Sequence, residues 1–106
     1  MSDDEIYEYM GRAFEWDRMK ATRNALKHRV RFTEAATVFF DKNAIFEHDP
    51  DHSEDEERYI VIGRSIRSNA LLVAHVYRGN VTRIISARKA TPSERRDYEK
   101  GLGRQL

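Results

Sequence analysis

One stretch limits the fold more than any other, the run from Arg83 to Tyr98. It reads as a strand running straight into a capped helix. Ile84 and Ile85 give the β-branched bulk of the strand. Thr91, Pro92 and Glu94 then spell a capping box. The Thr91 hydroxyl accepts from the N–H three residues on, Glu94 reaches back, and Pro92 takes the first helical position, where no N–H is needed. Gly101 is expected to stop the helix. The same run carries Arg83, Arg88, Lys89, Arg95 and Arg96. These are either arginines on the wet face of a strand, which is ordinary, or a surface that faces phosphate.

Charge distribution bears on that choice. Residues 1–57 hold 8 Lys and Arg against 15 Asp and Glu, whereas residues 58–106 hold 11 against 3. A basic half on a small domain is the electrostatic footprint of a protein that meets a polyanion, although a solvated basic face looks the same. The 106 residues suit one domain with a modest core. With 35% charged residues and a mean hydropathy of −0.79 the chain reads as soluble, and no apolar run nears the ~20 residues of a membrane span. The acidic start lacks a signal-peptide pattern. Without cysteine there is neither disulfide nor thiolate chemistry, which fits a cytoplasmic setting.

In chain order, residues 1–12 read as an acidic extension, a loose tail or a short packed helix, partly mobile. Residues 14–16 read as a first strand. Asp17 is an N-cap for a helix over about 18–29. Lys20, Arg23, Asn24 and Lys27 fall on one face of that helix, leaving Met19, Thr22 and Leu26 for the core. No acid follows the cap, so the basic stripe asks for a phosphate or a docking partner. A second helix over 32–40, with Thr33 at its cap, buries Ala35, Val38 and Phe39. Strands follow at 44–47, 58–65, 70–78 and 81–88, with Gly79-Asn80 as a hairpin turn. The loop 48–57 carries His48, His52 and several carboxylates. Pro50 keeps the two histidines off a common helical turn, so no metal site is expected there.

An even hairpin loop pairs Tyr77 with Thr82 and His75 with Ile84. One sheet face then carries His75, Tyr77, Thr82, Ser86 and Arg88 and is expected to be wet. The other carries Leu72, Ala74, Val76, Val81, Ile85 and Ala87, with Arg83 among them, and is expected to be the core. A histidine near arginines can titrate near neutrality, which makes His75 a candidate; a neutral, hydrogen-bonded strand histidine is the commoner case.

Several collinear runs resemble one family. They are Phe14-Glu15-Trp16-Asp17, Lys20-Ala21 with Asn24, Lys27-His28, Val30 with Phe32, Glu34-Ala35-Ala36 and His52-Ser53. Glu57-Arg58-Tyr59, Ile62-Gly63, His75, the run Arg83 to Thr91, Glu94-Arg95 and Tyr98 complete the set. Together they resemble the BrnT toxins of bacterial type II toxin–antitoxin systems. The Arg83–Ala90 run and Lys27-His28 are the most specific parts. The resemblance implies an α+β, RelE-like fold over residues 13–106 as a single domain. Two short N-terminal helices and a C-terminal helix would pack on a curved antiparallel sheet of four to five strands. It implies a ribonuclease that slows growth by cutting RNA. It implies a BrnA-like ribbon-helix-helix antitoxin, with DNA met only through the toxin–antitoxin complex.

RNA cleavage without a cofactor uses the 2′-hydroxyl as nucleophile and needs a base, an acid and cations for the phosphorane. The candidates, in falling order, are Arg83, Arg88, His75, His28, Lys27, Tyr98 and Glu57. Tyr98 would assist or stack on a base, and Glu57 would serve as a second base. Lys20, Arg23, Lys27, Lys89 and Arg95 are the candidate RNA-binding cations. A nucleic-acid-binding module without catalysis, or a protein-interaction domain, would explain the basic half as well.

Overall fold

A computed structural model describes residues 3–104 of the chain. Six strands form one sheet: β1 (Asp4–Tyr9), β2 (Arg12–Asp17), β3 (Ile45–His48), β4 (Arg58–Arg64), β5 (Ala70–Arg78) and β6 (Val81–Lys89). Their order is β1-β2-β6-β5-β4-β3. Three helices complete the α+β fold, α1 (Arg18–His28), α2 (Phe32–Thr37) and α3 (Pro92–Arg104). The antiparallel sheet of four to five strands needs correction on two points. There are six strands, and β2 runs parallel to β6 through Ala13–Val81, Phe14–Thr82 and Glu15–Arg83. A parallel pair needs a long crossover, and α1, α2 and three strands intervening between β2 and β6 supply it.

The extra strand is β1. It was read as a loose tail or short helix, but it pairs along its whole length with β2. Tyr7 and Tyr9 share a face, Asp4, Ile6 and Glu8 the other, and the alternation is that of a half-buried strand. Met10 and Gly11 make the turn, with φ of 50° and 80°. Positive φ at both central residues is what a type I′ hairpin requires. Of the extension 1–12, residues 1 and 2 lie outside the described residues.

Both faces of the sheet carry apolar cover. On one, α1 and α2 close over Phe14, Trp16, Val61, Leu71, Val73, Ile84 and Ala87, together with Phe32, Val38 and Phe39. On the other, Tyr98 of α3 packs on Ile62 and Leu72. Leu72 therefore lies under α3, on the face opposite Phe39. Leu72, Ala74, Val76 and Ala87 are buried as expected, but the residues expected to be wet are not all so: His75 and Thr82 are buried beside the larger core, at 0% and 3% exposure. The hairpin register itself is as read, with Tyr77 opposite Thr82 and His75 opposite Ile84. A bulge at Ala74/His75 then shifts the pairing, so Ala74 meets Ser86 and Leu72 meets Arg88.

The helices depart from their expected faces for local reasons. In α1 the outward residues are Met19 (57% exposed) and Leu26 (79%), and the buried one is Asn24. The β2–β6 pairing ends at Glu15–Arg83, so β6 has no neighbour strand on its β2 side at Ala87. Asn24 fills that role. Its Nδ2 donates to Ala87 O at 2.8 Å and to Val30 O at 3.0 Å, and its Oδ1 accepts from Ala87 N at 3.1 Å. Buried backbone groups must be satisfied, and that outweighs the apolar claim of Leu26. The second helix is α2 followed by one 3-10 turn, Val38–Phe40, and its N-cap is Arg31 rather than Thr33. α3 continues through Gly101 to Arg104. A Cβ at Gly101 would meet the Ile45 side chain at 3.4 Å, an ordinary contact. Gly63 is the position that needs its missing side chain, since a Cβ there would meet Val38 at 3.0 Å and Asp41 at 3.1 Å.

Candidate active site

The antiparallel β3–β4 pair places His48 opposite Tyr59. The loop between them folds back so that His48 Nε2 meets Glu57 Oε2 in a short contact. Ser53 organises this loop. Its hydroxyl donates to Asp49 O at 2.7 Å, accepts from Arg58 N at 2.8 Å, and lies 3.4 Å from His48 Nε2. Both partners of the pair face solvent, His48 at 45% and Glu57 at 66% side-chain exposure. The loop's other histidine, His52, is taken by Asp49 at 2.9 Å. Among the described residues, no three His, Cys, Asp or Glu side chains gather as a metal would need.

Rings surround the pair. Tyr59 lies 5.3 Å from His48 and 5.3 Å from Tyr77, centroid to centroid. Tyr77 and Phe46 are each about half exposed. Beneath them His75 touches Phe39, Phe46, Tyr59 and Tyr77. Its Nδ1 lies 3.1 Å from Val73 O, which can only accept, so Nδ1 carries the proton. Nε2 then accepts from the Tyr77 hydroxyl at 3.1 Å. Burial pushes the His75 pKa down to about 4, and the nearby Arg12 guanidinium adds to that. His75 is therefore a neutral, buried prop for Tyr77, out of reach of a substrate.

Arg12 stands beside this cluster. It donates to Thr82 Oγ1 at 3.0 Å and lies 4.8 Å over the Phe39 ring. No carboxylate pairs with it among the described residues, so its charge is available to an anion.

The two leading cations are engaged elsewhere. Arg83, on the opposite sheet face, donates to both Asp4 oxygens at 3.0 Å and to Glu15 at 2.6 Å. Its side chain is 13% exposed. Arg88, at the end of β6, grips Glu94 with two bonds of 2.7 and 2.9 Å. Glu94 also accepts from Thr91 N at 2.8 Å, and Thr91 Oγ1 accepts from Glu94 N, so the capping box is formed and carries an arginine on its outside. The Arg88 bonds, chiefly, hold the Glu94 pKa down to about 2 against burial.

Tyr98 is 2% exposed and cannot stack on a base. Its hydroxyl donates to Asp41 Oδ2 at 2.6 Å, and burial with this bond lifts its pKa to about 12. Asp41 also accepts from Arg64 N and Asn43 N, which outweighs its burial and keeps its carboxyl below the usual range. Tyr98 and Asp41 thus bolt α3 to the segment after α2. His28 ends α1, half-buried, without a hydrogen bond from its ring among the described residues. Lys20, Arg23 and Lys27 stand exposed on α1. Lys89 and Arg95 line one cleft with Arg64 and Asn69 at the N-terminus of α3.

Of the candidates from the sequence, the fold brings His75 near the Glu57 loop and joins Lys89 to Arg95. It separates Arg83 from His75 across the sheet and leaves Arg88 and Tyr98 at the opposite end. His48, Tyr59, Tyr77, Phe46 and Arg12 were missed as a group. The signal available was the short loop, since pairing strand 44–47 against strand 58–65 brings His48 to Glu57.

An exposed histidine–glutamate contact, aromatic rings and a cation without a carboxylate partner among the described residues thus gather on this small α+β domain. The family model of the BrnT ribonuclease toxins of type II toxin–antitoxin systems matches residues 16–94, and the chain belongs to that family. No curated protein matches it. Among the described residues no helix is long and apolar enough to cross a membrane.

Proposed function

We propose that this chain is an endoribonuclease that cuts RNA without a metal, acting in the cytoplasm, with the chemistry at His48 and Glu57. The observation that carries the reading is the exposed His48–Glu57 contact beside Tyr59 and Tyr77. One member of the pair takes the proton of a ribose 2′-hydroxyl as its oxygen attacks phosphorus. The other gives a proton to the departing 5′-oxygen, leaving a cyclic phosphate and a free hydroxyl. Arg12 supplies charge to the phosphorane, and Tyr77, Tyr59 and Phe46 offer faces to the bases on either side. Arg83 and Arg88 keep their carboxylates and hold the fold.

The partner is a BrnA-like ribbon-helix-helix antitoxin, with DNA met only through the complex. The exposed cations of α1, Lys20, Arg23 and Lys27, beside the exposed Met19 and Leu26, support a surface for an acidic amphipathic segment. The test is cleavage of a synthetic RNA by the purified chain in chelator. A 2′-deoxy residue at the cut position should abolish cleavage there, and the product should end in a cyclic phosphate. Cleavage that survives the 2′-deoxy substitution, or that stops in chelator, removes the reading.

A further inference from the structure

A groove on the α2 side of the molecule is used by nothing described so far. It is lined by Tyr7 and Tyr9 of β1, Arg29 and Arg31 between α1 and α2, and Ile66 and Arg67 in the turn after β4. The two tyrosine rings lie parallel, 11° apart in plane with centroids at 6.3 Å. Tyr9 meets the edge of the half-exposed Phe40 at 5.3 Å. Ile66 is 72% exposed. The three arginines are exposed, and their side chains make no ion pair among the described residues. The groove's one acid, Glu34, is occupied: its Oε2 accepts from Ser65 Oγ at 2.6 Å and from Asn69 Nδ2 at 2.8 Å. An open lining of three guanidinium groups and aromatic rings, with its carboxylate already satisfied, is complementary to a chain of phosphates and flat bases.

Its position matters. Tyr9 pairs with Arg12, and Ala13 with Val81, next to the Tyr77–Thr82 pair. Tyr9, Arg12 and Tyr77 therefore stand at one end of the sheet on one face. The groove lies toward the β1 edge and the His48–Glu57 cluster at the β3 edge, so the width of the sheet separates them, with Arg12 over Phe39 and Phe39 against Phe46 in between. Both lining tyrosines come from β1, before residue 16, where the family match begins.

We infer that this groove binds single-stranded RNA flanking the cut, with bases against Tyr7, Tyr9 and Phe40 and phosphates on Arg29, Arg31 and Arg67. The inference rests on the ribonuclease reading and extends it to a site for substrate length. The arginines are neutralised as Arg29→Asn, Arg31→Gln and Arg67→Gln; asparagine tolerates the left-handed φ of 57° at position 29. The probe is a fluorescein-labelled 2′-O-methyl RNA of about twelve nucleotides, read by anisotropy across a salt series. Three lost phosphate contacts should flatten the slope of log K against log salt by about 2, at roughly 0.7 per contact. Affinity near 0.1 M salt should fall at least tenfold, and Tyr9→Leu should weaken it by about tenfold through lost stacking. On a cleavable RNA of that length the loss should appear as a raised KM. If the wild type cuts RNA but the triple variant binds the probe equally well, the groove inference falls and the ribonuclease reading stands. Protection of the groove by a protein partner alone would likewise overturn it. If the wild type neither binds nor cuts RNA, both fall together.

Discussion

Asp4 holds Arg83 with both carboxylate oxygens, at 3.0 Å each, from a strand that precedes the family match. Glu15 adds a third contact at 2.6 Å. The arginine that leads the candidates by sequence thus has three charge-assisted bonds, in a setting where its side chain is mostly shielded from water. Asp4→Ala should lower stability by about 1–3 kcal/mol, less than the ~3–5 kcal/mol of a fully buried pair, since Asp4 is partly exposed. Thermal melts check this. A folded variant that cleaves faster than the wild type would instead mark Arg83 as a catalytic cation held in check by β1.

For the acid–base pair, Glu57→Gln and His48→Gln should each reduce cleavage by about 10²–10⁴. Both side chains are exposed, so the melting temperature should barely move. The double variant should be little worse than either single one, because the two act as a unit. Wild-type rates in a folded Glu57→Gln would end the assignment.

Arg88 offers a contrast. Arg88→Ala strips Glu94 of its two strongest bonds and leaves the capping box without its cation. The expected result is a loss of roughly 1 kcal/mol, with cleavage by the folded protein near the wild-type rate. A well-folded Arg88→Ala that no longer cuts RNA would return the chemistry to the end of β6.

His75 should make stability depend on pH. Its folded pKa of about 4 lies below its ordinary 6.5, so the unfolded chain binds the extra proton between those values. Its contribution is full above pH 6.5 and is lost as pH falls through about 4, on the order of 3 kcal/mol in all. Denaturant titrations at pH 7 and pH 4.5 should show the drop in the wild type. His75→Gln, neutral throughout, should lack that part of it; an equal drop in both would exclude His75 as its source.

Local chemistry was readable from the chain, and pairing over distance was less so. The Thr91–Glu94 box formed because its bonds lie within four residues. The hairpin register at Tyr77–Thr82 followed from turn length. The sheet faces could not be sorted by hydrophobicity because both are covered, one by α1 and α2 and one by Tyr98. Nor does anything near Asn24 in sequence announce that Ala87, 63 positions on, lacks a strand neighbour on its β2 side. The site suffered most. Arginines and histidines were ranked by residue type, while their availability depended on Asp4, Glu15 and Glu94, partners set by tertiary packing. Glu57 was in view, but His48 was weighed only as a metal ligand.

The parallel β2–β6 pair has a bearing on how the molecule is born. The hairpin of β1 and β2 leaves the ribosome before the other strands of the sheet, yet its place is beside β6, more than sixty residues later. At roughly 5–20 residues per second that interval is at least several seconds. Closing so long a loop is slow compared with forming a hairpin. During synthesis Phe14 and Trp16 have no sheet to join, and Arg12 has no Thr82 to bond. A chain of this topology emerges unfinished and completes the sheet that carries its groove and its His48–Glu57 contact only after the last strand is made.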